Sequence, residues 1–244
     1  MDDVVLHSNF RSETPGRIAL ASNQIHVWAI ALGGSNDRFT TLLSPAEQTR
    51  AARFQVADHR RRFAISHGAL RAILAGYTGQ DALALEFGSG TRGKPSLLSA
   101  SGWHFNLSHS AQLAMVAVAR IELGIDVEKR RHLESLRQIA NRHFSKVEFE
   151  LLEALPQAEQ LTGFYRCWTR KEAYVKAIGS GLASSLDVFD VSISSEPHFL
   201  GFRTGDDVPE DWDLIDISPA PDYTAALAVR ARNMTVHTLA LLDG

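Results

Sequence analysis

The feature that most limits what this chain can fold into is a repeat in the order of its own segments. Ser44-Pro45-Ala46-Glu47 opens a helix with a capping box, and Ser145-Lys146-Val147-Glu148 opens another in the same way. A strand precedes each: Ile25–Ile30 alternates before the first box, and Ile125–Glu128 stands before the second. A longer helical segment follows each, from about Arg60 to Ala75 and from Phe164 to Ile178, the latter stopped at Gly179-Ser180-Gly181. Leu83–Phe87 and Val188–Ile193 read as short strands. Trp103–Leu107 and Leu113–Val118 flank a turn at Ser108-His109-Ser110, and they are answered by Trp212–Ser218 and Ala225–Val229. The starts of corresponding parts lie 100 to 112 residues apart. This predicts an α/β (α+β) chain with a pseudo-twofold internal duplication. The halves are 1–122 and 123–244, meeting near Arg120–Gly124 without a Pro/Gly linker, so they should pack tightly. Residues 1–24 are polar and read as a loosely held arm. A ligand site between two such halves would draw on both.

With 244 residues, 45% of them hydrophobic, each half can bury a core. A net charge of −3 argues against nucleic acid as a partner. The single cysteine, Cys167, falls on the apolar stripe of the Phe164–Ile178 helix and reads as a core thiol in a reducing compartment. The opening MDDVVLHSNFRSETPG lacks the apolar core of a secretory leader, and no run of apolar residues is long enough to span a membrane. The expectation is a cytoplasmic protein with no membrane contact.

Two stretches carry the chemistry. On the Phe164–Ile178 helix, Trp168, Glu172 and Lys176 are successive i, i+4 positions and share a face. Alone, a Glu–Lys pair of that spacing more often belongs to an ordinary solvated helix. The second stretch is Gly124-Ile125-Asp126-Val127-Glu128, where alternation turns both carboxylates to one face of a strand. Two like charges on one face suit a cation between them, although an acidic sheet edge would also read this way. With Glu172 they would form an all-oxygen set suited to Mg²⁺, or to Mn²⁺, which such ligands accept equally.

Three further stretches could hold phosphate. Gly88–Pro95 is a glycine-rich turn ending in Gly93-Lys94-Pro95, where turn formation explains the residues as well as an anion does. Asn106-Leu107-Ser108-His109-Ser110 offers a hydroxyl and an imidazole from one turn. Arg60-Arg61-Arg62 is a basic cluster at a helix start, either a solvated face or a phosphate clamp.

Together GIDVE and, some forty residues on, WxxKEAxxK resemble the signature of the 4′-phosphopantetheinyl transferases, specifically the long single-chain type that activates surfactin synthetase. The resemblance runs from His26-Val27-Trp28 to the Ala225 strand. It implies transfer of 4′-phosphopantetheine from coenzyme A to a serine of an apo acyl or peptidyl carrier protein, with adenosine 3′,5′-bisphosphate released. It assigns Asp126, Glu128 and Glu172 to Mg²⁺, and Glu172 and Lys176 to catalysis, Lys176 neutralising charge on the diphosphate with Lys171 as helper. Either Glu172 or a metal-bound water would be the base. Coenzyme A contacts carry over to Ser108, His109 and Lys94, and to one arginine of the cluster, Arg62 by its spacing to Arg71. The duplication implies a monomer. Lys146, Arg166 and Arg170 are the expected docking region for an acidic carrier.

Two readings of other classes stay open: a Mg²⁺-dependent hydrolase of nucleotide diphosphates with water as nucleophile, and a coenzyme A-binding module without turnover. Other chemistries lack their patterns. His104 and His109 do not have zinc spacing, no GxSxG elbow exists, and neither GSG run has the third glycine of a dinucleotide loop.

Overall fold

The structure, a computed structural model, describes residues 4–90, 93–179 and 185–241, the side chains at 34–35 excepted. The first round of elements is β1 (Arg11–Glu13), β2 (Gln24–Ala31), a 3-10 segment, α1 (Pro45–Ala52), α2 (Ala57–Thr78), β3 (Phe87–Ser89), β4 (Pro95–Leu97), β5 (His104–Ser110) and β6 (Leu113–Ala119). The second is β7 (Leu123–Lys129), α3 (Leu136–His143), α4 (Lys146–Ala154), α5 (Gln157–Ile178), β8 (Phe189–Val191), β9 (Phe199–Phe202), β10 (Asp213–Ile217) and β11 (Tyr223–Val229). A last strand, β12 (Thr235–Leu241), follows.

The repetition reaches individual side chains. Both capping boxes form, with Ser44 and Ser145 accepting from the Glu47 and Glu148 amides and each glutamate returning to its cap. Helices α2 and α5 are both 22 residues long and end on left-handed glycines, Gly79 at φ 71° and Gly179 at φ 65°. Of the expected stop at the end of α5, Ser180 and Gly181 lie outside the described residues.

Each capping glutamate also takes a buried cation. Arg71 Nε stands 2.7 Å from Glu47 and Lys171 Nζ 2.8 Å from Glu148. Arg71 donates on to the Ala82 and Leu85 carbonyls, Lys171 to those of Leu186 and Phe189. Arg71 lies over the ring of Phe87 and Lys171 over that of Phe189.

Two main sheets result, in the orders β1-β12-β2-β6-β5 and β10-β11-β7. Strand alternation divides their residues among three cores. Trp28 and Ile30 of β2 pack with Ile65, Ile73 and Leu74 of α2. Phe164, Cys167 and Val175 of α5 pack with Leu214, Ala226 and Ala228 of the second sheet. Between the sheets lies an apolar layer of Ile25, Val27, Met115, Ile125, Val127, Ala225 and Leu227. β6, apolar throughout, and β11, apolar but for Thr224, are buried on both faces for this reason.

Three expectations need correction. The arm at 1–24 is not loose: Phe10 is buried, and β1 pairs in parallel with β12. The chain end does not stay with the second half, because β12 inserts between β1 and β2 of the first sheet. Ser108-His109-Ser110 is not a turn but the end of β5; the hairpin turns at Ala111, which carries a φ of 51°.

Candidate active site

Helix α5 lies directly on β7, and Gly124 permits it. A Cβ at Gly124 would come within 2.1 Å of the Ala173 carbonyl oxygen and 2.3 Å of the Ala177 nitrogen. Any side chain there would lift the helix away from the strand. On β7, Leu123, Ile125 and Val127 enter the layer between the sheets. Asp126 and Glu128 therefore turn the other way, toward α5.

Lys176 Nζ meets Asp126 Oδ1 at 2.6 Å and Ser108 Oγ at 2.9 Å. Asp126 is 4% exposed, and its second oxygen, Oδ2, is buried without a hydrogen-bond partner. Ser110 Oγ donates to Glu128 Oε2 at 2.7 Å. Glu172, one turn before Lys176 on α5, is 9% exposed.

The electrostatics are those of carboxylates crowded together. Burial raises the pKa of Glu172, and the charges of Asp126 and Glu128 raise it further against the pull of Lys176. Burial also raises Glu128, which Asp126 repels while the Ser110 hydroxyl opposes the shift. Among the described residues no three such side chains are close enough, as they stand, to hold a metal ion. The donor chemistry nevertheless fits a divalent cation: all ligands are oxygens, Asp126 has an unsatisfied oxygen, and the acids repel one another.

Beside the carboxylates opens a cavity of about 490 Å³ lined by Phe54, His59, Arg62, Phe63, His109, Ser110, Ala111, Lys129 and Arg131. Its lining brings Arg62 and His59 of α2 together with Lys129, the last residue of β7, and Arg131 just after it. Burial, then the charges of Lys176 and Arg62, hold the His109 imidazole below its ordinary pKa.

Residues 122–228 match the model of the 4′-phosphopantetheinyl transferase superfamily, and residues 35–121 match that of a 4′-phosphopantetheinyl transferase N-terminal region. The chain is 38% identical to the 4′-phosphopantetheinyl transferase HetI of Nostoc sp. over 88% of its own length and 91% of the relative's. It is 31% identical to the 4′-phosphopantetheinyl transferase Sfp of Bacillus subtilis over 66% of its length and 71% of that protein's.

The chain belongs to the 4′-phosphopantetheinyl transferase family. As such it is an enzyme, and its resemblance is to the Sfp type.

In this transferase Asp126, Glu128, Glu172, Lys176 and Ser108 come together at the α5–β7 contact, and Arg62 and His109 line the adjoining cavity. Arg62 is itself paired with Asp58 on α2, and three other expected coenzyme A contacts have their hydrogen bonds filled. Lys171 is fully buried on Glu148 and two carbonyls, the counterpart of Arg71, so it cannot reach a substrate. Lys94 donates to Glu122 and to the Leu123 and Ala177 carbonyls, which takes all three of its donors. Ser108 Oγ donates to Asp126 and accepts from Lys176 and from the Val127 amide, so the hydroxyl is saturated. In the docking region Arg170 is fully buried against Asp216 and Ser192, while Lys146 remains exposed.

His59, Lys129, Arg131 and Ser110, none of them a candidate from the sequence, also line the cavity. The basic run Lys129-Arg130-Arg131-His132 directly after GIDVE was the available signal for two of them. For Ser110 it was the alternation Asn106-x-Ser108-x-Ser110, legible only once that segment is taken as strand.

Proposed function

We propose that this enzyme transfers the 4′-phosphopantetheine arm of coenzyme A to a serine hydroxyl of an apo acyl or peptidyl carrier protein. The observation that carries the reading is a cleft lined by Arg62, Lys129 and Arg131 beside three mutually repelling carboxylates, Asp126 and Glu172 buried and Glu128 half-buried. A diphosphate suits the first and is repelled by the second, and a divalent cation between them reconciles the two. Asp126, Glu128 and Glu172 would hold Mg²⁺ or Mn²⁺; when bound, it supplies Lewis-acid neutralisation of the diphosphate.

The chain's own residues do the rest. Arg62, His59, His109, Lys129 and Arg131 embrace the phosphates of the nucleotide. In the reaction the serine oxygen bonds to the β-phosphorus, and the bond from that phosphorus to the nucleotide side breaks, releasing adenosine 3′,5′-bisphosphate. The serine proton passes to the Glu172 carboxylate, the base that the chain's own residues offer at this point. Lys176 offsets the negative charge that develops on the departing phosphate. Residues from both 1–122 and 123–244 enter the site, so one chain is sufficient and a monomer is the working form. The carrier docks through its acidic face, with exposed Lys146 among the residues that meet it.

The test is the intact mass of an apo carrier incubated with enzyme, coenzyme A and Mg²⁺. The carrier gains one phosphopantetheine group, the gain disappears on chelating the metal, and a folded Glu172→Gln variant gives none. Coenzyme A consumed with no gain on any carrier type would point to the hydrolase and overturn the reading.

A further inference from the structure

Strands β5 and β7 are edges of different sheets, with no backbone ladder between them. Alternate side chains of β5 make the join instead. Asn106 Oδ1 accepts from the Ile125 amide at 2.9 Å, Ser108 Oγ from the Val127 amide at 3.3 Å, and Ser110 Oγ from the Lys129 amide at 3.1 Å. These are the β7 amides that a neighbouring strand would otherwise satisfy. Their side chains lie on the face of β7 that looks away from α5, or just beyond the acidic pair.

Two of these three side chains do more than weld sheets. Each hydroxyl is fixed by the amide it accepts from, and its proton is aimed at the carboxylate one residue earlier on β7. Ser108 donates to Asp126 Oδ1 at 2.9 Å and Ser110 to Glu128 Oε2 at 2.7 Å. Asp126 has Lys176 as a second partner. Among the described residues Ser110 is the one hydrogen-bond donor to Glu128. Without it no hydrogen bond from the described residues holds that carboxylate, which Asp126 repels and only the more distant charges of Lys176 and Arg131 attract.

We propose that Ser110 is a positioning residue for Glu128, holding the carboxylate in register with Asp126 for a divalent cation. The proposal rests on the reading that Asp126, Glu128 and Glu172 hold such a cation. It follows from a general property of metal sites, in which the partner of a ligand fixes the ligand's orientation. Asn106 is the internal control, since it makes the same kind of rung without touching a carboxylate.

The experiment is Mn²⁺ binding to the full chain, without coenzyme A or carrier, by electron paramagnetic resonance, with the melting temperature of each protein measured alongside. Ser110→Ala should weaken Mn²⁺ binding about ten-fold or more, Ser110→Thr should restore it, and Asn106→Ala should lower the melting temperature while keeping near-native affinity. Should Ser110→Ala not fold, Ser110→Cys, a weaker donor of similar size, should show a smaller loss in the same direction.

Unchanged Mn²⁺ affinity in the serine variants, with normal binding by the native protein, would overturn the role of Ser110 alone. So would an equal loss in Asn106→Ala, which would make the effect one of sheet joining. A raised KM for coenzyme A with unaltered Mn²⁺ affinity would make Ser110 a substrate contact and overturn the proposal too. If the native protein bound no Mn²⁺, the metal reading itself would fall and this inference with it.

Discussion

The ammonium of Lys176 stands 2.6 Å from Oδ1 of Asp126, a carboxylate that is 4% exposed and whose other oxygen has no partner. The lysine is thus the counter-charge that lets Asp126 remain buried, and in the proposed reaction it also faces the departing phosphate. Lys176→Met keeps the apolar stem and deletes the charge. Transfer should fall about 100-fold, as when one preorganised donor is removed from a charged transition state. Single-turnover rates on an apo carrier check this, and a loss confined to KM would contradict it.

Lys171 makes the opposite prediction, although it is only five residues earlier on the same helix. Its side chain and that of Glu148 are both fully buried, and burial pushes the Glu148 carboxyl up against the pull of the lysine. Lys171→Ala strands that carboxyl, at a cost of about 3 kcal/mol or more in unfolding free energy. Denaturant midpoints should show the loss, while KM for coenzyme A of the folded fraction stays native. A large rise in KM at native stability would restore Lys171 to the substrate site.

Gly124→Ala tests the spacing of α5 on β7. The new methyl meets backbone atoms of Ala173 and Ala177, which cannot turn aside as a flexible side chain would. The helix has to move, carrying Glu172 and Lys176 away from Asp126. A displacement on the order of 1 Å should lower kcat about 100-fold. Native turnover in this variant would show that the contact tolerates expansion.

The pH dependence of stability follows from two imidazoles. Burial, aided by His237 at His26, lowers His26 and His67 from 6.5 to about 4. Between those values the unfolded chain binds protons that the folded chain does not. Stability is therefore full above pH 6.5 and declines as the pH drops toward 4, with no further loss from these groups below that. Melting temperatures across this window should fall, and less steeply in His67→Gln. An equal slope in that variant would remove His67 from the account.

Much of this was open to a reader of the sequence. The capping boxes formed where Ser-x-x-Glu stood, because a cap is satisfied within four residues. Asp126 and Glu128 share a face, because alternation is a property of any strand. Other features were misread where a local pattern has two meanings. Lys171 and Lys176 sit on one helix with similar surroundings in sequence, yet one is core and the other faces the site. Ser108-His109-Ser110 has the composition of a turn and became strand, since the positive-φ position fell at Ala111.

The sequence alone determined the order of elements, their duplication, the acidic pair on β7 and the Glu172–Lys176 step on α5, all of which depend on spacing within one segment. Only the tertiary structure decided which polar groups are spent. Lys94 is used up by Glu122 and by carbonyls of Leu123 and Ala177, Lys171 by Glu148, and Ser108 by Asp126. It also put Arg131 and Lys129 into the lining of one cavity with Arg62, and β12 into the sheet of the first half. A polar group's role depends on whether its hydrogen bonds are already filled, and the partners that fill them arrive from residues tens of positions away.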